Sequence, residues 1–259
     1  MPIFKKIAIT SLKEWENYAG PKSSFHWKDG RSAKESARAW LEGKGTRLPK
    51  EVQSALEGHQ AFGVVQHWYA EPEVKLRFDS FAGEPRNSDL VVHARDSQGP
   101  YLITVEAKAD EPYGETIAKT MTAADKRYKK NHRSNGVTRI NQLAVALFGT
   151  PDIFDPPLKD IRYQLLTACA GTLCEAERHG YNRALMLIHE FVTEKTSDDK
   201  HISNAADLNI FVNCLSKGSV IAIRDGRIYG PFFVPGKPLL LAKIELFIGK
   251  VKRVLRTST

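Results

Sequence analysis

Apolar residues fill positions 101–105 almost without a break, and polar chemistry enters only at Glu106 and Lys108. The two-residue repeat of a strand puts Leu102, Thr104, Glu106 and Lys108 on one face, so the carboxylate and the amine point the same way at the strand's end. A shorter apolar run, residues 90–94, is opened by Asp89, and Asp96-Ser97-Gln98-Gly99-Pro100 is a turn signal between the two. An antiparallel hairpin is expected there, bringing Asp89 beside Glu106. Residues 184–191 are nearly all apolar, as in a strand covered on both faces. Before them, Leu158, Ile161, Leu165, Ala168, Cys169 and Thr172 recur at helical spacing, and Arg178, His179 and Gly180 form a basic last turn and stop.

Weaker signals complete the map. Ser32 and Glu35 read as a capping box before a helix, and Pro49 suits the first turn of another over residues 50–57. A further helix reaching Trp68 is expected, then a strand over residues 74–78. Helices are predicted over 114–130, 138–148 and 204–215, with a loop at 150–157. Asp225-Gly226 predicts a hairpin between strands 220–223 and 227–233. Residues 239–255 favour an extended strand, because Pro235 and Pro238 precede them and Gly249 interrupts a helix. The order of helix, three strands, helices and strand implies an α/β fold with a mixed central sheet and an αβββαβ-type core. Residues 1–57 read as an N-terminal helical extension, 58–195 as the core, and 196–259 as a C-terminal helix and β-hairpin extension packed on it.

Composition narrows the class. At 259 residues the chain can bury a substantial core, and its formal charge of +8 favours polyanionic partners. Cys169, Cys174 and Cys214 are too few for a disulfide framework or a four-cysteine zinc site, and read as reduced core residues. No secretory signal opens the sequence, and no run approaches the roughly 18 apolar residues of a membrane span, so a cytoplasmic protein without a membrane partner is expected.

The hairpin carries the chemistry. Hard cations such as Mg²⁺ or Mn²⁺ take oxygen ligands, and Asp89, Glu106 and the backbone carbonyl of Ala107 would leave positions open for phosphate and water. Lys108 would face the developing negative charge as an electrostatic stabiliser. For nucleic acid, the run Lys119, Lys126, Arg127, Lys129, Lys130, Arg133 and Arg139 contains only Asp125 as a counter-charge; an ordinary solvated helix face is the plainer explanation for it. Lys250, Lys252, Arg253 and Arg256 make a second basic cluster. His93 shares a face with Asp89 but has no partner at ligand spacing, and reads as structural. His189-Glu190 lacks a zinc-protease motif and Gly43-Lys-Gly-Thr46 lacks the spacing of an ATP loop, so no nucleotide cofactor is assigned.

Asp89 followed by Glu106-x-Lys108 resembles the signature of the PD-(D/E)xK nuclease superfamily, with Ser88 in place of the proline. Residues 32–40, 106–114, 162–166 and 175–178 are similar to an uncharacterised bacterial domain family associated with that fold. The resemblance implies a restriction-endonuclease-like core and a further acidic residue, for which Glu57, Glu71, Glu73 and Glu84 compete. Glu73 is preferred for its place beside the first core strand. It also implies that a polar residue at the border of the long helix, Gln164, can approach the metal cleft; bordering the core is the alternative. The expected function is a metal-dependent endonuclease acting on DNA, with bacterial defence or restriction implied by resemblance. A homodimer is left open as a partner, because each strand of a duplex needs its own scission centre. The alternatives are an inactive nuclease-like module binding nucleic acid or protein, and an interaction module whose basic surface serves solubility alone.

Overall fold

The structure is a computed structural model that describes residues 3–21 and 23–255. Two minimal strands, β1 (Phe4–Lys5) and β2 (Ile7–Ala8), lead into three helices, α1 (Leu12–Ala19), α2 (Ser32–Glu42) and α3 (Lys50–Glu57). Three long antiparallel strands follow: β3 (His67–Leu76), β4 (Arg86–Asp96) and β5 (Gly99–Lys108). Then come α4 (Ile117–Lys130), α5 (Gly136–Phe148), α6 (Tyr163–Arg178), β6 (Arg183–Val192), α7 (Asp198–Leu215), β7 (Arg227–Phe232) and β8 (Glu245–Val254). The six long strands form one mixed sheet in the order β3-β4-β5-β6-β8-β7. β6 runs parallel to both β5 and β8, and all of its residues are buried, which explains the apolar run from Ala184 to Ile188.

Each face of the sheet carries its own core. On one side α1, α2 and α3 place Trp15, Trp40, Val52 and Leu56 against Val92, Ile103, Leu187 and Phe247. On the other, α4 to α7 cover Val91, Leu102, Met186 and Ile248. α6 lies close to the sheet at Gly171, where a Cβ would stand 3.2 Å from that of Leu76. Among the described residues no helix is long and apolar enough to cross a membrane, and Cys169, Cys174 and Cys214 are free thiols.

Several expectations are corrected. No helix reaches Trp68: after α3 the chain turns, and β3 begins at His67, seven residues before the strand read from sequence. Alternation there is obscured because Glu73 has a left-handed backbone, φ 53°. Ser32 does not cap α2; its hydroxyl donates to Glu111, while Glu35 accepts from the Gly30 amide. The reciprocal capping box is instead Ser11 with Glu14 on α1, a helix the periodicity did not signal. Residues 220–223 form no strand, so Asp225-Gly226 is not a hairpin turn, and β7 pairs with β8. β7 and β8 come from the segment expected to lie on the core, and they complete the sheet itself.

Candidate active site

The parallel strands β5, β6 and β8 end on the same side of the sheet, and Gln164, in the first turn of α6, reaches the end of β5. Crevices at the carboxyl ends of parallel strands are where α/β sheets commonly place their chemistry. Here the register assembles a row of acids. Pro72 pairs with Leu90 and Val74 with Ser88, so Glu73 lies across from Asp89. Leu90 pairs with Val105, and one step further along the antiparallel ladder sets Asp89 across from Glu106. The ladder opens there, because Asp89 turns its side chain to accept the Ala107 amide at 2.7 Å. Glu73, Asp89 and Glu106 therefore occupy one rung across three strands.

Glu106 is 4 % exposed and fully engaged. One carboxylate oxygen accepts from the Arg86 guanidinium; the other accepts from Gln164 and lies 3.2 Å from the Lys108 ammonium. Lys108 also donates to the Gln164 carbonyl at 3.1 Å and sits 5.0 Å above the ring of buried Tyr113. Asp89, Glu106, Lys108, Gln164 and Glu73 are thus brought together, with Ala107 between the first two. Of the other acids that compete as the further acidic residue, Glu71 pairs with Lys5, Glu84 with Lys75, and Glu57 accepts from Gln53.

Arg86 was not singled out by sequence, and alternation explains why. Leu90, Val92 and Ala94 face the α1–α3 side, so an even-numbered neighbour on β4 should point away from Glu106. The left-handed turn at Glu73 reverses that pattern: Ala70 belongs to one core, whereas Leu76, also even-numbered, belongs to the other. Arg86 pairs with Leu76, shares its face, and reaches Glu106 and the Thr167 hydroxyl.

The two carboxylates titrate in opposite directions. Burial raises Asp89 first, and the like charges of Glu106 and Glu73 raise it further, against Lys108 and the Ala107 amide. Burial also opposes ionisation of Glu106, but Arg86 and Lys108 outweigh it and hold its carboxyl below the ordinary value. Burial likewise raises Glu73, relieved in part by Asn87. Both cations thus serve Glu106, and Asp89 is left among acids with a single backbone donor. A hard divalent cation would relieve that crowding, and the donor set fits such an ion provided Glu106 releases a partner. Among the described residues no group of three or more His, Cys, Asp or Glu side chains is arranged to hold a metal.

A second charged cluster adjoins the first. Lys108 pairs across the sheet with Glu190, and Glu190 with Lys252. Glu190, 2 % exposed, lies 3.0 Å from both His201 and Lys250, and Lys250 and Lys252 reach Asp225 at 3.0 and 2.7 Å. Arg253 is held by Glu51 and Glu42. The second basic cluster expected from sequence is therefore consumed in ion pairs, apart from Arg256, which lies outside the described residues. In the first, Lys119, Lys126, Arg127, Lys129, Lys130 and Arg133 are exposed on and just after α4. Lys119 pairs with Glu115 and Lys129 with Asp125 at the surface, and the less exposed Arg139 pairs with Asp79 at 2.6 Å and lies over Phe81. His93 stacks on Tyr69 and meets His179 edge to face, away from the acid row.

No curated protein and no solved structure matches the chain. One family model does, over residues 8–254, which takes in the acid row, the helix that carries Gln164 and the whole six-stranded sheet; the chain belongs to the family described as a domain of unknown function, DUF6946.

Proposed function

We propose that the chain is a Mg²⁺- or Mn²⁺-dependent nuclease that hydrolyses phosphodiester bonds, with DNA as its substrate. The observation that carries this reading is the meeting of Asp89, Glu106, Lys108 and Gln164 at the carboxyl end of β5. The order α3, β3, β4, β5, α6, β6 supports a restriction-endonuclease-like core within the larger sheet. Asp89, Glu106 and the Ala107 carbonyl would hold the ion, whose chemistry is to polarise phosphate and acidify bound water. Lys108 stands against the charge that develops on the phosphate, and Gln164 fixes it through its carbonyl while its amide holds Glu106. Glu73 adds a third carboxylate to the rung. The exposed cations of α4 suit contacts to phosphates that do not depend on base sequence. Residence in the cytoplasm and a role in bacterial defence belong to the same proposal.

A second reading has its own observation. Both oxygens of Glu106 are engaged by protein groups, as expected of a nuclease-like scaffold that binds nucleic acid or a partner protein without cutting. Purified protein incubated with plasmid or linear DNA separates the two. Cleavage that needs Mg²⁺ or Mn²⁺ and disappears in Asp89→Ala supports the enzyme; salt-sensitive binding with no cleavage supports the scaffold.

A further inference from the structure

We propose that Arg86 is a substrate-phosphate residue held in reserve: it is parked on Glu106 until that carboxylate turns to a divalent ion, and it then takes a phosphodiester oxygen. This rests on the metal-dependent reading above. Three groups occupy Glu106, and they are not equivalent. Lys108 and Gln164 also bind each other at 3.1 Å, so their arrangement survives the loss of one carboxylate oxygen. Arg86 contacts neither of them; its other partner among the described residues is the Thr167 hydroxyl at 3.4 Å, so it can leave without breaking the Lys108–Gln164 pair. Its side chain is only 9 % exposed, and a guanidinium left unpaired at that depth is strongly unfavourable. It must find another anion. A planar fork of donors matches a phosphate, and the carboxyl end of β5, beside Asp89 and Lys108, is where that phosphate would lie.

Ion and substrate are thereby coupled. Without phosphate, an ion competes with Arg86 for Glu106; with phosphate, Arg86 has a new partner and the competition is relieved. Each ligand then tightens the other by the same factor. The left-handed backbone of Glu73 is the device that brings Arg86 to this face.

The test measures Mn²⁺ binding by calorimetry on the full chain and on Arg86→Ala, Arg86→Lys and Asp89→Asn, without nucleic acid. Anisotropy of a labelled DNA duplex is measured with and without metal, using Ca²⁺ where cleavage intervenes. Arg86→Ala is expected to bind Mn²⁺ about tenfold more tightly than the parent, and to lose the roughly tenfold gain in duplex affinity that metal confers on the parent. Arg86→Lys, which keeps the charge and guards against a folding defect, should fall between. Unchanged or weaker Mn²⁺ binding in a folded Arg86→Ala, or a metal-dependent gain that persists in it, overturns the proposal. If the parent and Asp89→Asn bind Mn²⁺ alike, or neither binds, the metal-dependent reading itself has failed.

Discussion

Arg86 and Glu106 form a buried ion pair across β4 and β5, although the alternation of β4 would send them to opposite faces of the sheet. A single residue on a third strand reconciles the two. Glu73 adopts a left-handed backbone, and every side chain beyond it on β3, with its partners on β4, changes face.

That conformation is tested by Glu73→Gly. Glycine adopts positive φ without the penalty of about 1–2 kcal/mol borne by other residues, so the variant should be at least as stable as the parent in urea. Glu73→Val should be destabilised by a similar amount and should also disturb Arg86. If the Glu73 carboxylate contributes to chemistry, the glycine variant loses cleavage while keeping its fold.

At the centre, Glu106→Gln and Lys108→Ala should each lower metal-dependent DNA cleavage by about a hundredfold or more. Gln164→Ala should have a smaller effect, because Lys108 retains its contact with Glu106 at 3.2 Å. Full activity in Lys108→Ala would rule out its stabilising role.

The turn between β4 and β5 is secured by Asp96, whose carboxylate accepts two bonds from Arg183 at 2.7 and 3.0 Å in a buried setting. Asp96→Ala strands that arginine beside the Ala61 and Gly99 carbonyls and is expected to cost about 3–5 kcal/mol. Chemical denaturation reads this directly; a loss below about 1 kcal/mol would show that the clamp is dispensable.

Acid should remove two contributions to stability, each in its own window. His93 is lowered to about 4, by burial and then by His179, and burial also lowers His189. An imidazole whose folded value is depressed binds its proton more readily when unfolded, so the histidine contribution falls as pH drops from about 6.5 towards 4, against the opposite trend of Asp89, whose carboxyl is raised. Burial opposes ionisation of Glu51, yet His189 and Arg253 outweigh it and hold the carboxyl at about 2. Its contribution, on the order of 2–3 kcal/mol, is complete above the ordinary carboxylate value and disappears as pH falls from about 4.5 towards 2. Urea midpoints of parent and variant, compared across this range, should show each loss as a pH-dependent difference that His93→Phe removes from the upper window and Glu51→Gln from the lower.

At Gly249, in the middle of β8, a Cβ would stand 3.0 Å from both Ile228 and Leu187. Gly249→Val should therefore destabilise by about 1–3 kcal/mol through overpacking. A melting temperature unchanged from the parent would show that the sheet accommodates the added bulk.

The sequence alone determined the elements whose signals are local. A run dominated by seven apolar residues specifies β6, helical spacing specifies α6, and the turn at 96–100 specifies the β4–β5 hairpin, which set Asp89 against Glu106 and Lys108. Tertiary structure decided what depends on partners distant in the chain. Whether Lys250, Lys252 and Arg253 face solvent turns on Glu190, Asp225, Glu51 and Glu42, and sequence cannot pair charges separated by up to 211 residues. The face on which Arg86 lies turns on one left-handed residue in the neighbouring strand, a backbone state that glutamate seldom adopts and that no local pattern announces.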